Sequence, residues 1–101
     1  MIIYNITTHV SWNIHDAWLA WMKETYLPEV MKTGCFIKYQ LLCLIDIDET
    51  EGPTYAIQFY AKNIEDYNHY ITTFAPALKQ AGIDKWGSNT IAFSTIMQIV
   101  H

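Results

Sequence analysis

After Met1 the chain runs through nine residues rich in β-branched side chains. In "IIYNITTHV" (2–10), Ile2, Tyr4, Ile6 and Val10 share one face and Ile3, Asn5, Thr7 and His9 share the other. The period then changes. Asn13 is an N-cap residue type and Asp16 stands three positions on, where a capping-box side chain belongs. Ile14, Trp18, Trp21 and Met22 follow at helical spacing. Pro28 suits the first turn of a second short helical piece ending near Lys32, with Gly34 as its cap. "FIKYQLLCLID" (36–46) predicts the second strand, with Ile37, Tyr39, Leu41, Cys43 and Ile45 on one side and Phe36, Lys38, Gln40, Leu42 and Leu44 on the other. The acidic run "DIDETEGP" reads as a solvated hairpin turn, and "TYAIQFYA" (54–61) as the third strand.

From Asn63 the first device returns. "NIED" (63–66) echoes "NIHD" (13–16), and Ile64, Tyr67, Ile71, Phe74 and Leu78 form an apolar helical stripe. Pro76 interrupts it late and Gly82 follows, in the order of Pro28 and Gly34 before. "KWGSNT" is a turn and "IAFSTIMQIV" (91–100) the last strand. The order is βαββαβ, an α+β chain of the ferredoxin-like split type in one domain spanning 1–101. Right-handed crossovers set a four-stranded antiparallel sheet in the order 4-1-3-2, with both helical segments on one face.

The two sheet faces differ in what they ask for. Tyr4, Ile6, Val10, Ile37, Tyr39, Leu41, Cys43, Ile45, Tyr55, Ile57, Phe59, Phe93, Met97 and Ile99 read as the face under the helices. The opposite face mixes Ile3, Phe36, Leu42, Leu44, Ile96 and Val100 with amides and hydroxyls, and Lys38 is its one charge. Ser94, Asn5, Gln58 and Gln40 are expected in one row across four strands. So large an uncharged face calls for a cover, and a second copy related by a two-fold axis supplies one, giving a dimeric α/β barrel. The amides then bond one another across a wet seam, or line a small ligand cavity. Candidate ligand-binding residues are Asn5, Thr7, His9, Gln40, Gln58, Tyr60, Ser94 and Gln98.

Composition narrows the partners. Net charge is −4, with ten acidic and six basic side chains. Counterion release needs clustered Lys and Arg, so no nucleic-acid partner is expected, and an anionic membrane surface is disfavoured for the same reason. No apolar run approaches the ~20 residues of a membrane span. The start carries no basic region before an apolar stretch, which points to the cytoplasm. Cys35 and Cys43 lie on one extended segment, too far apart to bridge, and read as a loop thiol and a core thiol.

Chemistry-bearing motifs are few. No histidine or cysteine pair stands at ligand spacing, so no metal or other cofactor is expected. The acidic turn lacks the glycine and bidentate glutamate positions of a calcium loop. Trp18 and Trp21 read as the buried stripe of a helix; the competing view has them flanking an aromatic ligand, with His15 at a pocket mouth. Trp12 is expected to fold back as a staple, His15 and His69 to face solvent and His101 to fray. His9, near the end of the first strand, is the histidine with most scope as a base or a haem ligand.

"MIIYN", "WLAWMKE", "PEVMKTGCF", "YAIQF", "APALK" and "FST" together resemble an uncharacterised bacterial family of about 100-residue proteins, a domain of unknown function in the dimeric α/β-barrel group of ferredoxin-like folds. The resemblance spans nearly the whole chain. It implies His in relatives at the place of Tyr26 and Arg at that of Lys79, and it implies the fold and the dimer. The wider group holds cofactor-free monooxygenases, haem-degrading enzymes, small isomerases and ligand-sensing modules, and fold does not choose among them. Three readings stand: a small-molecule-binding or regulatory dimer; a cofactor-free enzyme of the monooxygenase or isomerase type using His9, Asn5 and Gln58; and a structural dimer with a filled barrel.

Overall fold

The computed structural model describes all 101 residues. Strands are β1 (Ile2–Val10), β2 (Lys38–Cys43), β3 (Thr54–Ala61) and β4 (Thr90–Gln98); helices are α1 (His15–Trp21), α2 (Leu27–Lys32), α3 (Ile64–Thr73) and α4 (Ala75–Trp86). The strands form one antiparallel sheet in the order β2-β3-β1-β4, the predicted order read from its other edge. The fold is α+β and ferredoxin-like. The thinnest dimension is 19 Å, room for one sheet and one helical layer at ~10 Å each. The second sheet face therefore carries no layer of its own chain. No helix is long and apolar enough to cross a membrane.

The core lies between sheet and helices. Tyr4, Val10, Ile57, Phe59 and Ala61 project from the strands to meet Trp18, Met22, Leu27, Val30, Tyr70 and Ala75. Aromatic rings hold its centre: Phe36 lies 4.9 Å from Tyr70 and 5.2 Å from Phe59, ring centre to ring centre. Phe36 was expected on the opposite face. Regular pairing begins only at Lys38, after a turn in which Gly34 takes φ 75°. Strand alternation does not extend back through that turn. Phe36 drops into the core, while Ile37, expected inside, is 45% exposed. The two cysteines are exchanged as well, with Cys35 buried and Cys43 exposed on the edge strand.

β4 carries the main correction. Its register sets Ser94 beside Ile6, Ile96 beside Tyr4 and Gln98 beside Ile2. Ala92, Ser94, Ile96 and Gln98 therefore share the helix side, and Ile91, Phe93, Thr95 and Met97 the open side. The reading of Phe93 and Met97 as helix-facing is reversed. "TIAFSTIMQ" has apolar residues at both parities, so its alternation does not choose a face, and one step of register exchanges every side chain.

The two echoing helix starts also diverge. Asn63 accepts the backbone N–H of Asp66 at 2.9 Å, a regular N-cap. Asn13 sits inside a 3-10 turn, Trp12–Ile14, and makes no cap bond; its amide reaches Asn89 at 3.5 Å. Between α1 and α2 the backbone widens into a π turn, Met22–Tyr26, closed by the Leu27 N–H on the Met22 carbonyl. Pro28 explains this, because it offers no N–H to the Glu24 carbonyl and its ring crowds that carbonyl. Gly82 does not end its helix as expected. α4 runs through it to Trp86 and stops at Gly87, where φ is 55°.

Candidate functional site

The helices do not cover the sheet evenly. α1, the π turn and α4 stand apart above β1 and β4, and leave a solvent-open cavity of about 350 Å³, within the range of small-molecule sites. Its aromatic wall comes from Trp18, Trp21 and Tyr26, and its floor from Tyr4, Ile6, Thr8 and Ile57. α4 contributes Leu78, Lys79, Gly82 and Ile83, and β4 contributes Thr90, Ala92 and Ser94. No carboxylate and no histidine lines it; Lys79 is its one charged side chain.

Each wall has a local cause. The π turn rotates Met22 and Tyr26 onto the cavity side, a device that recurs at functional sites. Gly82 lines the cavity from α4, and a Cβ there would make only ordinary contact with the Trp21 ring, at 3.9 Å. Behind Trp21 stands Trp86, edge-on at 5.9 Å between ring centres. Trp86 is buried, and its indole N–H has no partner. At the floor, the Tyr4 hydroxyl meets Ser94, while burial holds its pKa above the usual phenol value. Burial likewise raises Tyr26, with Tyr4 close enough to add to the effect, and raises Tyr70. These phenols stay protonated at neutral pH, so they offer hydrogen bonds rather than bases.

The open face holds most of the residues singled out from sequence. Asn5 pairs with Gln58 on one side and Thr95 on the other, and Gln58 pairs with Gln40. The predicted polar row across four strands exists, with Thr95 in the place assigned to Ser94. The Tyr60 hydroxyl donates to Gln40 Oε1 at 2.9 Å, and the Lys38 ammonium sits 4.5 Å above the Tyr60 ring. Asn5 Nδ2 donates to Thr7 Oγ1 at 3.1 Å, but Asn5 Oδ1 is buried with no partner. His9 Nδ1 lies 3.3 Å from Thr54 Oγ1 at the end of this face. Asn5, Thr7, His9, Gln40, Gln58 and Tyr60 are thus brought together, while Ser94 and Gln98 lie on the other side of the sheet, Ser94 in the cavity wall.

His15 was expected in solvent, and the structure engages it. Its Nε2 is 2.6 Å from the Tyr55 hydroxyl and its Nδ1 is 3.1 Å from Asp16 Oδ1. Burial is the main cause that raises the Tyr55 pKa. Trp12, expected as a staple, is half-exposed, and its indole N–H donates to the Glu49 carbonyl at 2.7 Å, tying the hairpin turn to the start of the helical layer. Gly52 makes this strap possible, since any Cβ there would collide with the Val10 carbonyl. No three His, Cys, Asp or Glu side chains converge on one point that could hold a metal.

This geometry is that of a ferredoxin-like α+β protein with a cavity between sheet and helices. The same arrangement recurs in solved structures. A protein of the ethyl tert-butyl ether (EthD) family from Bacillus halodurans C-125 superposes with TM-score 0.74 at 13% identity, over 99% of this chain and 100% of its own. Two dimeric ferredoxin-like proteins from uncultured marine organisms superpose at 0.70 and 0.68, with 13% and 11% identity, over 100% and 99% of this chain and 96% and 95% of theirs. At these identities the likeness is one of fold. The chain belongs to the family described as a domain of unknown function, DUF4286, whose model matches residues 1–100. No curated protein matches the sequence.

Proposed function

We propose that the protein is a small-molecule-binding module that works as a homodimer, with one ligand site per protomer in the cavity between α1, α4 and the sheet. The observation that carries this reading is the cavity itself. It is walled by aromatic rings, and among its lining residues is Gly82, a helix-interior glycine that costs helix stability without serving a turn. Pairing through the open face is supported by its exposed Leu42, Ile91, Phe93 and Met97 and by the dimeric state of two proteins of the same fold. Asn5, Gln40, Gln58, Tyr60 and Thr95 then form the polar centre of the interface rather than the ligand site.

Binding is favoured over catalysis by the cavity lining. Its titratable groups are Lys79 and phenols held protonated by burial, and His9 lies across the sheet from it. A base for proton abstraction is not among them. Native mass spectrometry of the purified full chain tests the proposal. A dimer carrying one non-covalent mass per protomer is expected. A monomer at micromolar concentration would remove the dimer, and a dimer that takes up no small aromatic compound at millimolar concentration would remove the binding function.

A further inference from the structure

The cavity has a polarity that narrows what it can hold. Lys79 lies in its wall and forms no ion pair: the chain's two pairings within 4 Å are His15 with Asp16 and Lys32 with Glu29. None of the residues lining the cavity is acidic, although acidic side chains outnumber basic ones over the whole protein by ten to six. Lys79 is exposed to solvent, and an unpaired cation beside an apolar space favours an anion over a cation. Deeper in, Trp18 and Trp21 offer flat, polarisable surface, and Tyr4 and Ser94 mark the floor with hydroxyls. Gly82 adds no side chain to the lining, and a methyl group added there would touch only Trp21.

We infer that the site takes a small planar aromatic carboxylate, its ring against Trp18 and Trp21 and its carboxylate on Lys79. This rests on the cavity being a ligand site at all, as proposed above. A cationic ligand is opposed by Lys79, and a neutral ring forgoes the one charge the site presents. A phosphorylated ligand would ask for more donors than one ammonium and two or three hydroxyls provide.

The test uses 2-naphthoate and its neutral counterpart 2-naphthalenemethanol, titrated into the full chain and followed by tryptophan fluorescence and calorimetry. The carboxylate should bind about fivefold more tightly at low salt, the size of one partly exposed ion pair, and the preference should shrink in 0.5 M sodium chloride. Lys79→Met should abolish the preference while leaving the alcohol's affinity within twofold. Gly82→Leu, which fills the cavity, should weaken both probes. Equal binding of acid and alcohol in the native protein, or a preference that survives Lys79→Met, overturns the carboxylate inference and leaves the cavity as a neutral aromatic site. Failure of both probes to bind, or binding indifferent to Gly82→Leu, overturns the cavity reading and this inference with it.

Discussion

On the helix-covered side of the sheet, Ile57, Phe59 and Tyr4 are almost wholly buried; one residue along each strand, on the other side, Gln58, Tyr60 and Asn5 form a polar cluster among exposed Leu42, Phe93 and Met97. Both faces come from the same strands, and they do different work. The covered face is apolar, and the cavity lies between it and α1, the π turn and α4. The open face is uncharged but for Lys38, and it leaves an acceptor, Asn5 Oδ1, buried without a donor. A buried unpaired acceptor costs about 1–3 kcal/mol. Side chains on the covered face decide whether the chain folds, and those on the open face are the ones proposed to decide whether it pairs.

The sharpest way to break that contrast is to truncate adjacent residues of β3. Phe59→Ala should cost about 3–5 kcal/mol in urea denaturation, while Gln58→Ala, read at concentrations low enough to hold monomer, should stay within about 1 kcal/mol. Equal losses would mean that the open face is part of the protomer's own core. The next effect falls on assembly. Met97→Glu sets carboxylates into the proposed interface, and sedimentation equilibrium should show the dimer weakened at least tenfold, about 1.4 kcal/mol, with the circular dichroism spectrum unchanged. An intact dimer would place the interface elsewhere.

Alkaline pH should act on the covered face. Tyr4, Tyr26 and Tyr70 have raised pKa values in the folded state, chiefly through burial. In the unfolded chain they lose protons near the ordinary 10.0. Above that pH the unfolded state binds fewer protons than the folded one, so stability is intact below pH 10 and falls as pH rises beyond it. Denaturation midpoints between pH 8 and 11 should show this decline, and Tyr70→Phe should flatten it. The smallest effect is at the cavity rim. Gly82→Ala should stabilise the protein by about 0.4–1 kcal/mol, because the backbone there is helical and the added methyl has room. A loss of thermal stability instead would show that α4 already packs tightly against Trp21.

Much of this was legible in the residues. β1 and β3 alternate cleanly, and the Asn63 cap, Pro28 and Pro76 stand where the helices begin or restart. The polar row was visible too, because Asn5, Gln58 and Gln40 occur at one parity on strands whose order the crossover rule supplies. Ser94 was taken for Thr95 because β4 is apolar at both parities, and neighbouring hydroxyl residues suit either face. Trp86, read as part of a turn, gave one usable signal: a large apolar residue directly before a glycine, as at a helix end. His15 gave none, since its partner Tyr55 is forty residues away.

Local chemistry along the chain, then, determined which segments are strands and helices, their order and, through chain handedness, the sheet they build. Periodicity and capping act over a few residues and are written in sequence. Tertiary structure decided which side of the sheet β4 turns to the helices, how far α4 stands from α1, and hence that a cavity exists with Lys79 at its edge. Those outcomes depend on register and interhelical distance, which are set by how side chains from distant segments fit together. No stretch of the chain contains that information by itself.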